Sequence, residues 1–302
     1  MNIFKLKIND STFYSLTRDI FNDKTQRKSP WNQIGSDGKN RYYAVCPACE
    51  NTIQLIGFHL KNTTLNENSI ADISEPFGKH FLSREINHLG LLSKSAYEQC
   101  PYASKNQRHP KPNEKYNVKS RIPNKLLHLL RDEFDRIMWC LEKSICIQLP
   151  SKYRQTMLNN YLHNEGWWYA GSTLLNLPWT FAYNTNAIPL IFCKIQDEDM
   201  KKALQQRYPS AVFNQYNKLE TQGKYIAPTF CFLSHKRHLN TKNHHLTETM
   251  VLSISDESGK PIYQKTIEFK PFLFNKIIQS SNQSNRDIVL LQKVNKAIND
   301  IL

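Results

Sequence analysis

Two cysteines separated by two residues, Cys46-Pro47-Ala48-Cys49, lie between runs that read as short strands, 41–45 and 52–59. A tight turn of this kind presents two sulfurs to one point, the local arrangement of a tetrahedral zinc site. Pro47 stiffens the turn, and the flanking strands give it the form of a zinc-ribbon knuckle. A thioredoxin-like pair would sit at a strand-to-helix junction, whereas Thr52, Ile53, Leu55 and Ile56 follow here. The knuckle constrains the whole N-terminal region, because a closed site needs two further ligands from elsewhere in the chain.

Cys100-Pro101-Tyr102 offers the third sulfur, but Ala103 stands where a second Cys-x-x-Cys would end. The fourth ligand is therefore expected from a histidine. His80, at the end of the turn 76–80 after Gly78, is the first choice; His88, then His59 and His109, are the alternatives. Cys46, Cys49, His80 and Cys100 would leave no open coordination position, so the expected cofactor is a structural Zn2+. The other cysteines, Cys140, Cys146, Cys193 and Cys231, lie among apolar residues and read as small buried side chains. Seven cysteines, odd in number and unevenly spread, do not form a disulfide framework.

Residues 1–10 have no apolar core of a secretory signal, and the longest apolar run, 187–195, falls short of the ~20 residues that span a bilayer. A cytoplasmic protein without a membrane partner is expected. The expected fold class is α+β: a small zinc-ribbon-like module over 1–104, a basic linker over 105–122, and a larger α+β domain with antiparallel strands over 123–302. In the first part, 3–8 reads as a half-buried strand, and Asp10 or Ser11 caps a helix carrying Phe13, Leu16, Ile20 and Phe21. Residues 85–92 and 94–99 suit short helices. In the second part, Leu127, Leu130, Phe134, Ile137 and Leu141 step by three and four, a helical stripe. Ser151 starts a second helix and 197–207 a third. Strands are expected over 188–195, 229–233, 247–255 and 262–269, and a final helix capped by Ser284 or Asn285 carries Leu291, Val294, Ile298 and Ile301.

The net charge is +14, and two segments account for +12 of it. Residues 105–125 hold Lys105, Arg108, Lys111, Lys115, Lys119, Arg121 and Lys125 against Glu114 alone, and 201–250 hold eight basic residues against two acidic ones. Clustered cations resemble the footprint of a polyanion, so DNA or RNA is the expected partner, through phosphate contacts. The candidate contacts are Lys105, Arg108, Lys111, Lys115, Lys119, Arg121, Lys236, Arg237 and His238, the last three placed on a polar loop after the strand 229–233. Two alternatives come from other classes. One is a metal-dependent nuclease using the histidines of the 235–245 cluster. The other is a structural subunit or adaptor of a larger assembly, with the aromatic segment Trp167 to Tyr183 partly exposed, although that segment, dense in rings and with no basic residue from Gly166 to Phe192, reads first as the core of the larger domain.

Overall fold

Residues 7–10 turn back on themselves, and this cuts the first strand short. The computed structural model describes residues 1–58, 75–103, 109–280 and 286–302. It pairs β1 (Ile3–Phe4) with β2 (Tyr14–Ser15) in antiparallel register. Between them the Asp10 carboxylate accepts the Lys7 amide, a local turn that competes with helix. The first helix is therefore not started by Asp10 or Ser11. It is α1 (Arg18–Thr25), capped where Thr17 accepts the Ile20 amide. Phe13 and Leu16, expected on that helix, are buried ahead of it.

The chain divides into two compact units, Met1–Arg108 with His238–Thr247, and His109–Arg237 with Glu248–Leu302. In the first, β3 (Asn32–Ile34), β4 (Asn40–Val45), β5 (Thr52–Ile56) and β6 (Phe77–His80) form a four-stranded antiparallel sheet in that order. Tyr43 and Val45 of β4 bury against Ile86 and Leu89, with Trp31 and Phe81 half-buried beside them. No helix forms over 85–92, because Asn87 and His88 both take left-handed backbone (φ 43° and 54°), which interrupts a helix. α2 (Lys94–Glu98) follows, with Ser93 accepting the Ala96 amide as its cap. A buried ion pair, Lys5 Nζ to Glu50 Oε1 at 2.9 Å, ties the N-terminal strand to the residue after Cys49. Either charge alone would be costly so far from water.

The second unit begins with α3 (Ile122–Ile145), whose stripe Leu127, Leu130, Phe134, Ile137 and Leu141 is buried along its length. It continues through β7 (Ile147–Gln148), α4 (Ser151–His163), α5 (Leu177–Tyr183), β8 (Ile188–Pro189), β9 (Lys194–Ile195), α6 (Glu198–Arg207), β10 (Ala211–Phe213) and β11 (Leu219–Thr221). The strands β12 (Thr229–Leu239) and β13 (Leu246–Ser255) come next, then β14 (Pro261–Glu268), α7 (Pro271–Gln279) and α8 (Ile288–Asn299). A sheet ordered β14-β13-β12-β8 runs antiparallel, with Met250 opposite Ile267 and Phe230 opposite Ile188. α3 packs against α5, α7 and α8. The class is α+β.

Several expectations change here. The run 188–195 is two short strands in different sheets, β8 beside β12 and β9 beside β7, separated by a turn closed by the Cys193 amide on Leu190 O. The aromatic segment supplies core, as its density of rings and lack of basic residues lead one to expect: Trp167, Trp179 and Phe181 are buried, and Trp179 stacks on Phe269 at 5.1 Å. Residues 109–121, expected within a linker, are held to the second unit, where Tyr116 is buried and its amide donates to Trp168 O. The proposed cap residues Ser284 and Asn285 lie outside the described residues. Asp287 caps α8 through the Leu290 amide, and Ile301 falls beyond the helix end, exposed.

Candidate metal centre

The turn from β4 to β5 is closed by its own backbone: the Cys46 amide donates to Asn51 O and the Glu50 amide to Cys46 O, both at 2.9 Å. This fixes Cys46 and Cys49 with their sulfurs on one side. β6 supplies the histidine. It is antiparallel to β5 with His80 opposite Ile53, so the last residue of the strand arrives beside the knuckle. Cys100 arrives on the segment after α2, its amide bonded to Tyr97 O.

Asn51 holds that second arm in place. Its Oδ1 accepts the Ser93 amide at 2.7 Å, and its Nδ2 donates to Ser93 O at 3.1 Å and to Cys49 Sγ at 3.4 Å. Next to it the Thr52 amide donates to Leu91 O and the Leu91 amide to Glu50 O. Gly90 allows this close approach, since a Cβ there would stand 2.7 Å from the Thr52 amide nitrogen.

The donor atoms of Cys46, Cys49, His80 and Cys100 all lie within 4.8 Å of one another, and the group can hold a metal ion. The three cysteines are buried and His80 half-buried. Cys46 Sγ and Cys100 Sγ are 3.7 Å apart, and Cys49 Sγ and His80 Nε2 are 3.3 Å apart. A tetrahedron with zinc–sulfur bonds of ~2.3 Å and zinc–nitrogen bonds of ~2.0–2.1 Å has a sulfur–sulfur edge of ~3.8 Å and a sulfur–nitrogen edge of ~3.5 Å, so the first spacing fits and the second is slightly tight. The same spacing is far beyond a disulfide, and all seven cysteines are free thiols.

The electrostatics favour a cation. Burial opposes a thiolate at Cys46, but hydrogen bonds from Cys100 and Cys49 and the nearby His80 outweigh it and hold Cys46 well below the usual thiol range. Burial, joined by the negative charge on Cys46, pushes Cys49 and Cys100 well above it. A divalent ion replaces those two protons and neutralises sulfur charge that the buried site otherwise solvates poorly. The donor set is consistent with zinc, and with four protein ligands the ion would have no open position for a substrate.

The alternative histidines are engaged elsewhere or not described. His88 is 92% exposed and paired with Glu85, and His109 accepts the Arg237 amide through Nδ1 in the other unit. His59 lies outside the described residues. Among the described residues no other cluster of three such donors is found.

The expected phosphate contacts divide sharply. Lys105 and Arg108 lie outside the described residues. Lys111, Lys119 and Arg121 are exposed, and Lys115 is exposed while paired with Glu165. Lys236 and His238 are exposed, but not on a loop: β12 extends through them to Leu239. Arg237 is a correction. It lies on the opposite face of that strand, 7% exposed, and donates through Nε to Glu248 Oε1 at 2.8 Å and through a terminal nitrogen to Gly171 O at 2.6 Å. It cannot reach a phosphate.

His235 shares that buried face. One ring nitrogen is 3.2 Å from Glu248 Oε1 and the other 3.0 Å from the Tyr169 hydroxyl, while Asn176 Nδ2 donates to the same carboxylate at 3.0 Å. Burial works against the Glu248 charge, but Arg237 and His235 overcome it and bring the carboxyl down to about 2. Burial lowers His235 below its ordinary value despite Glu248. The histidines of the 235–245 cluster are thus not gathered into one site: His235 is sealed in the second unit, His238 faces outward, and His244 stacks on Phe77 at 4.0 Å in the first. This polar core was missed in the sequence, although a signal was present. Glu248 is in phase with Met250, Leu252 and Ile254 on the apolar face of β13, and a carboxylate there requires a buried cation. Against known proteins, no family model, curated protein or solved structure matches this chain.

Proposed function

We propose that Cys46, Cys49, His80 and Cys100 hold one structural Zn2+ and that the protein binds nucleic acid through phosphate contacts. The observation that carries the metal is the convergence of four sulfur and imidazole donors from three separate stretches at one buried point. On this proposal the first unit is a ribbon-like module, its knuckle between β4 and β5 clipped to the arm after α2. The ion fixes that arm and does no chemistry. Seven free thiols suit the reducing cytoplasm, and among the described residues no helix is long and apolar enough to cross a membrane.

Charge supports the nucleic-acid part. The chain carries +14, and Lys111, Lys119, Arg121 and Lys236 present exposed cations, with His238 exposed on the same strand as Lys236 and Lys115 in a surface pair worth little. Lys105 and Arg108 extend the same basic stretch in sequence. Binding of this kind is governed by counterion release: six phosphate contacts on a duplex give a log–log salt slope of roughly −5. Titrating labelled duplex and single strands at several salt concentrations tests it. Salt-sensitive binding is expected, and no binding to either form at low salt would refute it.

A further inference from the structure

Rested on the nucleic-acid reading, a second observation narrows the ligand. A groove of about 340 Å³ in the second unit is walled by Tyr153, Phe192 and Tyr225. Phe192 is 53% exposed and Tyr225 78%. Exposed rings are common singly; these converge on one concavity.

The position of Phe192 is conformationally expensive. It is the third residue of the turn 190–193, with φ 70°, where a turn of this shape ordinarily takes glycine. The Phe192 amide donates to Leu219 O, and the Leu219 amide to Cys193 O, so β11 holds the turn from both sides. An aromatic side chain at positive φ gains little from burial when half of it faces water, and strain held this way is found at ligand sites.

Lysines flank one side of the groove. Lys218 Nζ lies 4.9 Å over the Phe192 ring. Lys194 is bridged directly opposite Lys218, a like-charged pair that destabilises a sheet and suits an anion. Lys152 and Lys224 directly precede two of the aromatic walls in sequence and are exposed. Two carboxylates lie close by: Glu220, bonded to Asn214 and loosely paired with Lys218 at 3.8 Å, and Glu257, which accepts the Ala227 amide and the Tyr208 hydroxyl and keeps its charge, so the phosphate side of the groove is that of Lys194 and Lys218.

From these we propose that the Tyr153–Phe192–Tyr225 groove binds unpaired bases of a single-stranded nucleic acid, stacking them on the rings while Lys194 and Lys218 meet the backbone phosphates. Duplex cannot use the groove, because its bases are already stacked. Ring faces accept any base, so affinity is expected to vary little with sequence.

The test is fluorescence anisotropy of the intact protein with short oligo-dT, oligo-rU and a duplex, which also separates DNA from RNA. Tyr225→Ala removes an exposed ring, and Phe192→Gly removes the other while relieving its backbone. Each is expected to weaken single-strand binding about tenfold or more and to leave duplex binding unchanged, while Phe192→Trp keeps the single-strand affinity. Unaltered melting temperatures check the fold. Single-strand binding that is indifferent to both Tyr225→Ala and Phe192→Gly overturns the groove and leaves the phosphate-contact proposal standing. No binding to any of the three probes overturns both.

Discussion

Replacing Glu248 by glutamine keeps the shape of the side chain and removes the charge that Arg237 and His235 surround. The size of the effect follows from the site. Burial disfavours the carboxylate, yet its partners outweigh burial and move the carboxyl from 4.5 to about 2, a difference of about 3 kcal/mol in favour of the folded state. Because the folded value is depressed, this contribution is complete above 4.5 and lost as the pH falls toward 2. Glu248→Gln also strands a buried guanidinium, and breaking a buried pair costs about 3–5 kcal/mol. His235 adds an earlier acid-sensitive phase. It is buried and neutral when folded, so stability declines as the pH drops below 6.5, where the unfolded chain takes up the proton first. Urea unfolding followed by tryptophan fluorescence reports on this unit, since Trp139, Trp167, Trp168 and Trp179 lie in it and only Trp31 does not. At pH 7 the variant is expected to lose at least about 3 kcal/mol, with the gap to the native protein narrowing below pH 4.5. A loss under ~1 kcal/mol, the value of an exposed ion pair, or a gap that does not change with pH, would refute the reasoning.

Other perturbations follow from the same geometry. Gly90→Ala drives a Cβ to 2.7 Å from the Thr52 amide nitrogen. Overpacking against backbone should cost about 1–3 kcal/mol, read as a lower urea midpoint of the metal-loaded protein, and an unchanged midpoint would count against the packing described. Asn51→Leu removes the amide that clamps Ser93 and touches Cys49 Sγ. Metal affinity by chelator competition should fall about 10- to 100-fold, and native affinity would show that Asn51 positions nothing. A triple variant, Lys111→Ala, Lys119→Ala and Arg121→Ala, should make the salt slope for duplex shallower by roughly 3; an unaltered slope would move the phosphate contacts elsewhere.

How much could be read from the sequence depended on how local the determining physics was. Cys46 and Cys49 announce themselves because two residues fix the spacing of their sulfurs. The helical stripe of α3 is equally local, since its period needs only the chain itself. His80 is the first choice only through its place after Gly78, with His88, His59 and His109 open beside it, and its route to the site is not legible: it is the end of β6, and its register against β5 is a pairing across residues distant in the chain. The hardest case was 235–238. Four polar residues in a row read as a loop because a strand is expected to show apolar residues on one face. Here the inner face carries His235 and Arg237, satisfied by Glu248 from the neighbouring strand in the sequence, and only that pairing explains how charge can face inward. Ser234 at φ 55° adds a break in the alternation, with Leu233 and Ser234 both exposed. Phe192 falls inside an apparent buried strand for a similar reason. Its neighbours are apolar, and the turn that lifts its ring outward is set by bonds to Leu219.

The central claim is that one ion sits between Cys46, Cys49, His80 and Cys100, and its most direct test is metal content. Purified protein, Cys46→Ser and His80→Ala are compared by elemental analysis and by mass spectrometry under native conditions. A structural site of four protein ligands predicts close to one zinc per chain in the native protein, loss of the metal with damaged folding in Cys46→Ser, and weakened retention in His80→Ala. Zinc absent from the native protein, or the same stoichiometry in all three, would contradict it.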